Sequence, residues 1–386
     1  MRQPAGSWLQ GAWSALVAGL VLSAAGCGGA RAAAGDTDAA GSPTTYWALV
    51  ANESSDLISQ VAFTPGIGAR VGGEVPVGIL PADIDGPHGL VVGPGGREWY
   101  VSIAHGQPFG KVWKFAGADS LVAEVELGMF PASMAVTPDG RFLFVSNFNL
   151  HGDTEPSSVS VVYTPTMTEV ARPTTCVMPH GGRLNASGTK HYSVCMHSDQ
   201  LVEIDAKTFE VTGRMSLTPG SEQAVADESV DTHVSHGFGT ASCSPTWAVA
   251  GAGARADTHV YVACNRNEEI LELDVRSWSV TRRFETGRGP YNLAVTPDGR
   301  LLLATLKADQ AVAIIDLESG RELRRIETTQ PVTHGVAITR DARYAFISNE
   351  AIGATPGTVD VIDLDALERV SSVAVRYQPG GIDVWQ

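Results

Sequence analysis

Basic residues are few in this chain. Lys and Arg together number 27 against 42 Asp and Glu, a net charge of −15 over 386 residues. That balance argues against nucleic acid as a partner and against adsorption to anionic membrane surfaces. Cysteine is scarcer still, at five. No C-x-x-C pair and no C-x-x-C-H occurs, so thioredoxin-like exchange and covalent c-type haem are not indicated. The longest apolar run, from about Trp13 to Ala25, falls short of the ~20 residues that a membrane-spanning helix needs. A G-x-S-x-G elbow, a phosphate-binding glycine loop and an H-E-x-x-H helix are also missing, which removes the common signatures of serine hydrolases, P-loop nucleotide enzymes and zinc proteases.

What is present points to sheet. Gly 42, Pro 21 and only 18% charged residues suit a turn-rich all-β domain. The chain also repeats itself. Pro87-His88-Gly89, Pro131-Ala132-Ser133, Pro179-His180-Gly181, Ser235-His236-Gly237, Pro290-Tyr291-Asn292, Thr333-His334-Gly335 and Pro379-Gly380-Gly381 can be laid over one another. The step between copies is about 49 residues, the size of a four-stranded propeller blade.

The N-terminus reads as an export signal. Arg2 precedes the short apolar run, which ends in small residues, as secretory signals do. Leu22-Ser23-Ala24-Ala25-Gly26-Cys27 resembles the bacterial lipobox, which implies a signal peptide over 1–26 and lipidation of Cys27. Ordinary cleavage near Ala32 to Ala34 is the alternative. Residues 27–44 hold almost no apolar bulk and read as a flexible tether, leaving 45–386 as the folded domain. The expected location is the bacterial cell envelope, facing periplasm or exterior, with membrane contact only through the N-terminal lipid.

Within each copy a short apolar strand leads into a turn such as Thr137-Pro138-Asp139-Gly140 or Thr296-Pro297-Asp298-Gly299, in which Pro fixes one φ and Gly takes the positive one. A second strand follows, as in Phe142 to Asn147 (FLFVSN), Tyr344 to Asn349 (YAFISN) and Val260 to Asn265 (VYVACN). A third ends in an aspartate turn, and a fourth, more polar strand closes the unit. These FVSN and FISN endings, with the preceding A-V-T-P-D-G-R turn, resemble the YVTN family of β-propeller repeats. The resemblance covers essentially everything from Thr45 to Gln386. It implies an all-β, seven-bladed propeller of four-stranded antiparallel blades, closed by the C-terminal strand joining the N-terminal blade. Blades four and five depart from the pattern, and Pro245 to Asp257 reads as an insertion lengthening a hairpin of blade five.

In a propeller the starts of first strands and the ends of second strands meet on one face, here called the top. His88, His180, His236 and His334 fall at the first position, His233 lies three residues before His236, and His105, His151 and His197 follow second strands. Only His191 and His259 belong elsewhere. The four equivalent histidines spread around the ring at about 51° per blade and, as neutral imidazoles, suit copper or iron, and zinc less well. The hypothesis is a transition metal on His88, His180, His236 and His334, with His233 as a fifth or outer group. Against it stands a purely structural use, since a His-Gly pair is a tolerable way to begin an inner strand.

Two further readings stay open. The lactonase type of propeller implies metal-binding carboxylates, and Glu222, Asp227, Glu228 and Asp231 lie in one long connection. An interaction scaffold would instead bind a protein through the loops Thr218 to Thr232 and His151 to Ser157. Among the cysteines, Cys195 and Cys264 align with Ser146 and Ser348 and read as small buried residues. A disulfide between them needs too long a reach, whereas Cys176, close before Pro179, reaches Cys195 more easily. The function expected is therefore binding at a histidine-rich top face, of a small molecule, a metal or a protein, with a redox or binding role.

Overall fold

A computed structural model describes residues 44–79, 83–105, 109–226 and 241–385. The signal segment, the tether with Cys27, and both His233 and His236 lie outside them.

Seven antiparallel sheets, each built on four strands, make up the described chain. Blade 1 combines Tyr46–Asn52, Leu57–Thr64 and Gly68–Pro76 with Pro379–Val384 as its innermost strand. Blade 2 runs from Pro87–Val92 to Ser120–Glu126, blade 3 from Pro131–Val136 to Thr168–Ala171, and blade 4 from Pro179–Leu184 to Val211–Ser216. Blades 5, 6 and 7 begin with Pro245–Ala250, Pro290–Val295 and Thr333–Ile338. No sheet edge is left at the junction of the termini, because the last strand pairs with the first. The expected seven-bladed propeller is thus observed.

Alternation within each strand feeds the cores between blades. Tyr46, Val50 and Phe63 of blade 1 pack on Tyr344, Phe346 and Val361 of blade 7. Leu201 and Met215 of blade 4 pack in the same way on Val260 and Leu271 of blade 5. Outermost strands carry the polar residues, as in Arg321–Glu327.

Two details of the repeat position the top face. First, the residue before every innermost strand lies in the left-handed region: Gly86, Phe130, Met178, Ser244, Gly289, Val332 and Gln378, with φ between 46° and 68°. That turn swings the chain from the rim into the axis, and five of the seven bear the Cβ cost of this conformation. The half-buried, β-branched Val332 (φ 63°) bears it most, so Val332→Gly is expected to stabilise the domain by roughly 0.5–1 kcal/mol, the relieved strain exceeding the extra chain entropy of glycine. Urea unfolding of the variant checks it, and a loss of stability counts against the strain argument.

Second, in blades 1, 3 and 7 the second strand ends in an asparagine that ties it to the third. Asn147 donates to Ser158 and Ser160 and accepts from Gly128 N; Asn349 donates to Thr358 and Asp360. In blades 4 and 5 that place belongs to Cys195 and Cys264, as the pairings Pro179↔Cys195 and Pro245↔Cys264 beside Pro131↔Asn147 show. The alignment of these cysteines with Ser146 and Ser348 was one residue out. Both are half-cystines, Cys176–Cys195 and Cys243–Cys264, which replaces the reading of small buried thiols. A covalent tie to the segment entering the same blade takes the place of the asparagine's hydrogen bonds.

Blade 5 holds the main correction. Pro245–Ala250 is its innermost strand and not part of a hairpin insertion; the added length is confined to a turn that includes the short 3-10 segment Gly253–Arg255. Ser235-His236-Gly237 therefore does not open this blade. The weaker resemblance of Pro245-Thr246-Trp247 to the P-H-G copies hid the true start.

Candidate functional site

The second residue of each innermost strand meets the axis at the top. In order from blade 1 these are Gly380, His88, Ala132, His180, Thr246, Tyr291 and His334. Three small residues leave the space that four rings fill. His88 stands 6.2 Å from His180 and 5.9 Å from His334, centroid to centroid, and Tyr291 packs on both His180 (5.5 Å) and His334 (4.7 Å). His88, His180 and His334 do converge. The fourth expected member, His236, lies outside the described residues, and Thr246 occupies the position assigned to it; His233 is outside them as well.

His180 and His88 are each oriented by an outer partner. His180 Nδ1 lies 2.9 Å from the Thr246 carbonyl, which only accepts, so Nδ1 carries the proton and Nε2 accepts from the Tyr291 hydroxyl at 3.1 Å. His88 Nδ1 sits 2.8 Å from a Glu53 oxygen, which leaves Nε2 unprotonated when the ring is neutral. His334 Nε2 is 3.6 Å from Glu350, and its buried Nδ1 has no hydrogen-bond partner among the described residues.

Burial keeps the deeper rings neutral. It pushes His180 down to about 3, helped by the neighbouring His88. It holds His334 well below the ordinary imidazole range, helped by Lys307 and the other two rings. Burial alone would raise the Glu53 carboxyl, but His88 and His105 outweigh it and hold it far below the usual carboxylate range. Lys307 reaches Glu350 at 2.9 Å and covers the Tyr291 ring at 4.3 Å; burial disfavours its charge, but Tyr291 and Glu350 together raise it above its usual value.

A second histidine group adjoins the first. His151 Nε2 lies 3.1 Å from His105 Nδ1, and His105 Nε2 lies 2.8 Å from the second oxygen of Glu53. One continuous chain, His151, His105, Glu53 and His88, thus runs from the exposed rim to the axis, with Phe130 packed against all three imidazoles. His197 also lies at this end, whereas His191 stacks on Phe144 and His259 meets Thr258 near the first hairpins, as the repeat implied.

Sequence reasoning missed Tyr291 as a member of the ring and Glu53, Lys307 and Glu350 around it. The signal was available: Glu53, Lys307 and Glu350 each stand one residue beyond the end of a second strand. Glu222 pairs with Arg283 of the outermost strand of blade 5, away from the axis, and Asp227, Glu228 and Asp231 lie outside the described residues. Beneath the rings is a cavity of about 20 Å³ lined by Ser133, Arg183, Trp247 and Asn292, room for one water.

No family model matches the chain, and no curated protein does. Solved structures share its fold. The periplasmic gluconolactonase of Pseudomonas aeruginosa is 15% identical with a TM-score of 0.67, over 89% of this chain and 99% of that one. Dihydro-heme d1 dehydrogenase NirN in complex with DHE is 16% identical with a TM-score of 0.56, over 87% and 74%. Hydrazine synthase of Kuenenia stuttgartiensis is 18% identical with a TM-score of 0.56, over 75% and 81%. At these identities the likeness shows the propeller and nothing finer.

Proposed function

We propose that this is an exported, lipid-anchored propeller of the YVTN type that takes a transition-metal ion, copper or iron, in its top mouth on His88, His180 and His334. The observation that carries the reading is the anchoring of Nδ1 on His88 by a carboxylate and on His180 by a backbone carbonyl, the outer-shell arrangement that fixes the tautomer of metal-bound imidazoles. The unpartnered nitrogen of His334 supplies a third donor. Two imidazoles sharing an ion through bonds of about 2 Å have ring centroids about 5–6 Å apart, so the spacings of 5.9 and 6.2 Å stand at the wide end. Among the described residues no three His, Cys, Asp or Glu groups already stand at coordinating distance. Loading therefore requires the rings to close in and the Tyr291 hydroxyl to release His180. A bound copper or iron ion would supply one-electron chemistry; the protein's own groups exclude water and keep the donors unprotonated. Two disulfides favour an oxidising compartment and so support export, with Cys27 as the lipid attachment.

Metal analysis of untagged protein tests the site. Copper or iron close to one per chain is expected, lost on joint His88→Ala and His180→Ala substitution with the fold retained by circular dichroism. Protein that stays metal-free after exposure to both ions would sink the assignment. A second reading, an interaction scaffold, is favoured by the exposed apolar residues Ile79, Ile84, Phe109, Ile352 and Tyr377 on connections that open at the top of blades 7, 1 and 2. A stable protein complex lost on Phe109→Ser and Ile352→Ser, in metal-free protein, would support it.

A further inference from the structure

The bottom half of the axial channel is chemically unlike the top. All seven innermost strands contribute to a cavity of about 350 Å³, within the range of small-molecule sites. Its walls are mostly aliphatic, with Val91, Val136, Ala294 and Ile338 among the residues open to it. At its inner end stands Arg183, which also lines the small chamber under the histidines.

Arg183 is a fixed cation in this setting. Its guanidinium lies over the Trp247 ring at 4.6 Å, and Nη1 donates to the carbonyls of Gly182 and Met134 at 2.9 and 3.3 Å. Among the described residues no carboxylate pairs with it directly; Asp383 acts on it only at a distance while accepting from Val92 N and Val384 N. The indole N–H of Trp247, buried to 6% exposure, also lacks an acceptor among the described residues. The free edge of the guanidinium calls for an anionic acceptor, and the aliphatic walls call for an apolar body behind it.

We propose that the bottom channel is a binding site for a small organic carboxylate with an aliphatic body, its head on Arg183 and its tail along the funnel. The site is independent of the metal reading. Calorimetric titration with octanoate, and with octanol as the neutral control of equal chain length, tests it. Saturable octanoate binding, at least tenfold tighter than octanol, is expected, with a change in tryptophan fluorescence from Trp247. Arg183→Gln is expected to erase the preference for the acid. Ala294→Trp, which fills the funnel, is expected to abolish binding of both, and joint His88→Ala and His180→Ala substitution to leave binding unchanged. No saturable preference for octanoate in the unmodified protein overturns the proposal. So does undiminished octanoate binding by a folded Ala294→Trp variant, which decides the matter if Arg183→Gln fails to fold.

Discussion

Joint replacement of Cys243 and Cys264 by serine is expected to lower the stability of the domain by about 3 kcal/mol, the value for a loop of this size. The bond links residues 21 apart and fastens the segment entering blade 5 to the end of its second strand. In blades 1, 3 and 7 an asparagine holds that strand end by two or more hydrogen bonds. Serine is too short to restore them, so nothing compensates for the loss. Both sulfur atoms sit on fully buried residues, which adds the cost of a polar hydroxyl in an apolar site. Urea unfolding should show a lower midpoint with little change in slope. A loss under 1 kcal/mol would mean that the neighbouring blades hold this segment without the bond.

The second large effect concerns acid. His191 is 1% exposed, stacks on Phe144 at 5.0 Å and 13°, and has a buried Nδ1 with no partner among the described residues. Burial pushes its imidazole down to about 3, with Arg183 adding to the effect. In the unfolded chain the same group titrates near 6.5. Between those two values the unfolded chain holds a proton that the folded one does not. Stability from this residue is therefore complete above about pH 6.5 and falls as the pH drops, by about 1.4 kcal/mol per unit. The loss reaches about 2 kcal/mol at pH 5. His191→Phe keeps a stacked ring and removes the titrating group, so its stability should fall about 2 kcal/mol less than that of the unmodified protein between pH 7.5 and 5. Equal losses in the two proteins would show that His191 is not protonated on unfolding in that range. His180 and His334, buried in the mouth, add acid dependence of their own, which is why the comparison rests on a histidine remote from it.

Period and turn chemistry made the fold legible. Proline-led inner strands, T-P-D-G turns and strand-two asparagines recur because every blade solves the same packing problem. Reading failed in blade 5, where the starting motif carries Thr246 and Trp247 in place of His and Gly, while a better local match stood ten residues earlier at His236. Three of the histidines proposed as ligands were placed on the axis by the repeat alone. Tyr291 shares their repeat position, but a phenol lacks the metal-ligand character that marks an imidazole, so residue type does not single it out. Glu53, Lys307 and Glu350 have no common residue type, so only their position beyond strand two identifies them. Disulfide partners depended on a one-residue register that hydrogen-bonded pairing defines and composition does not.

Ring closure also sets a timetable for folding. Pro379–Val384 is the axial strand of the blade that opens at Tyr46, so the first blade stays unfinished until the other six blades have been made. Until then Tyr46–Asn52 exposes a bare edge to any other strand nearby. A chain interrupted before Pro379 would lack the one segment able to cover that edge, and self-association would be its natural fate.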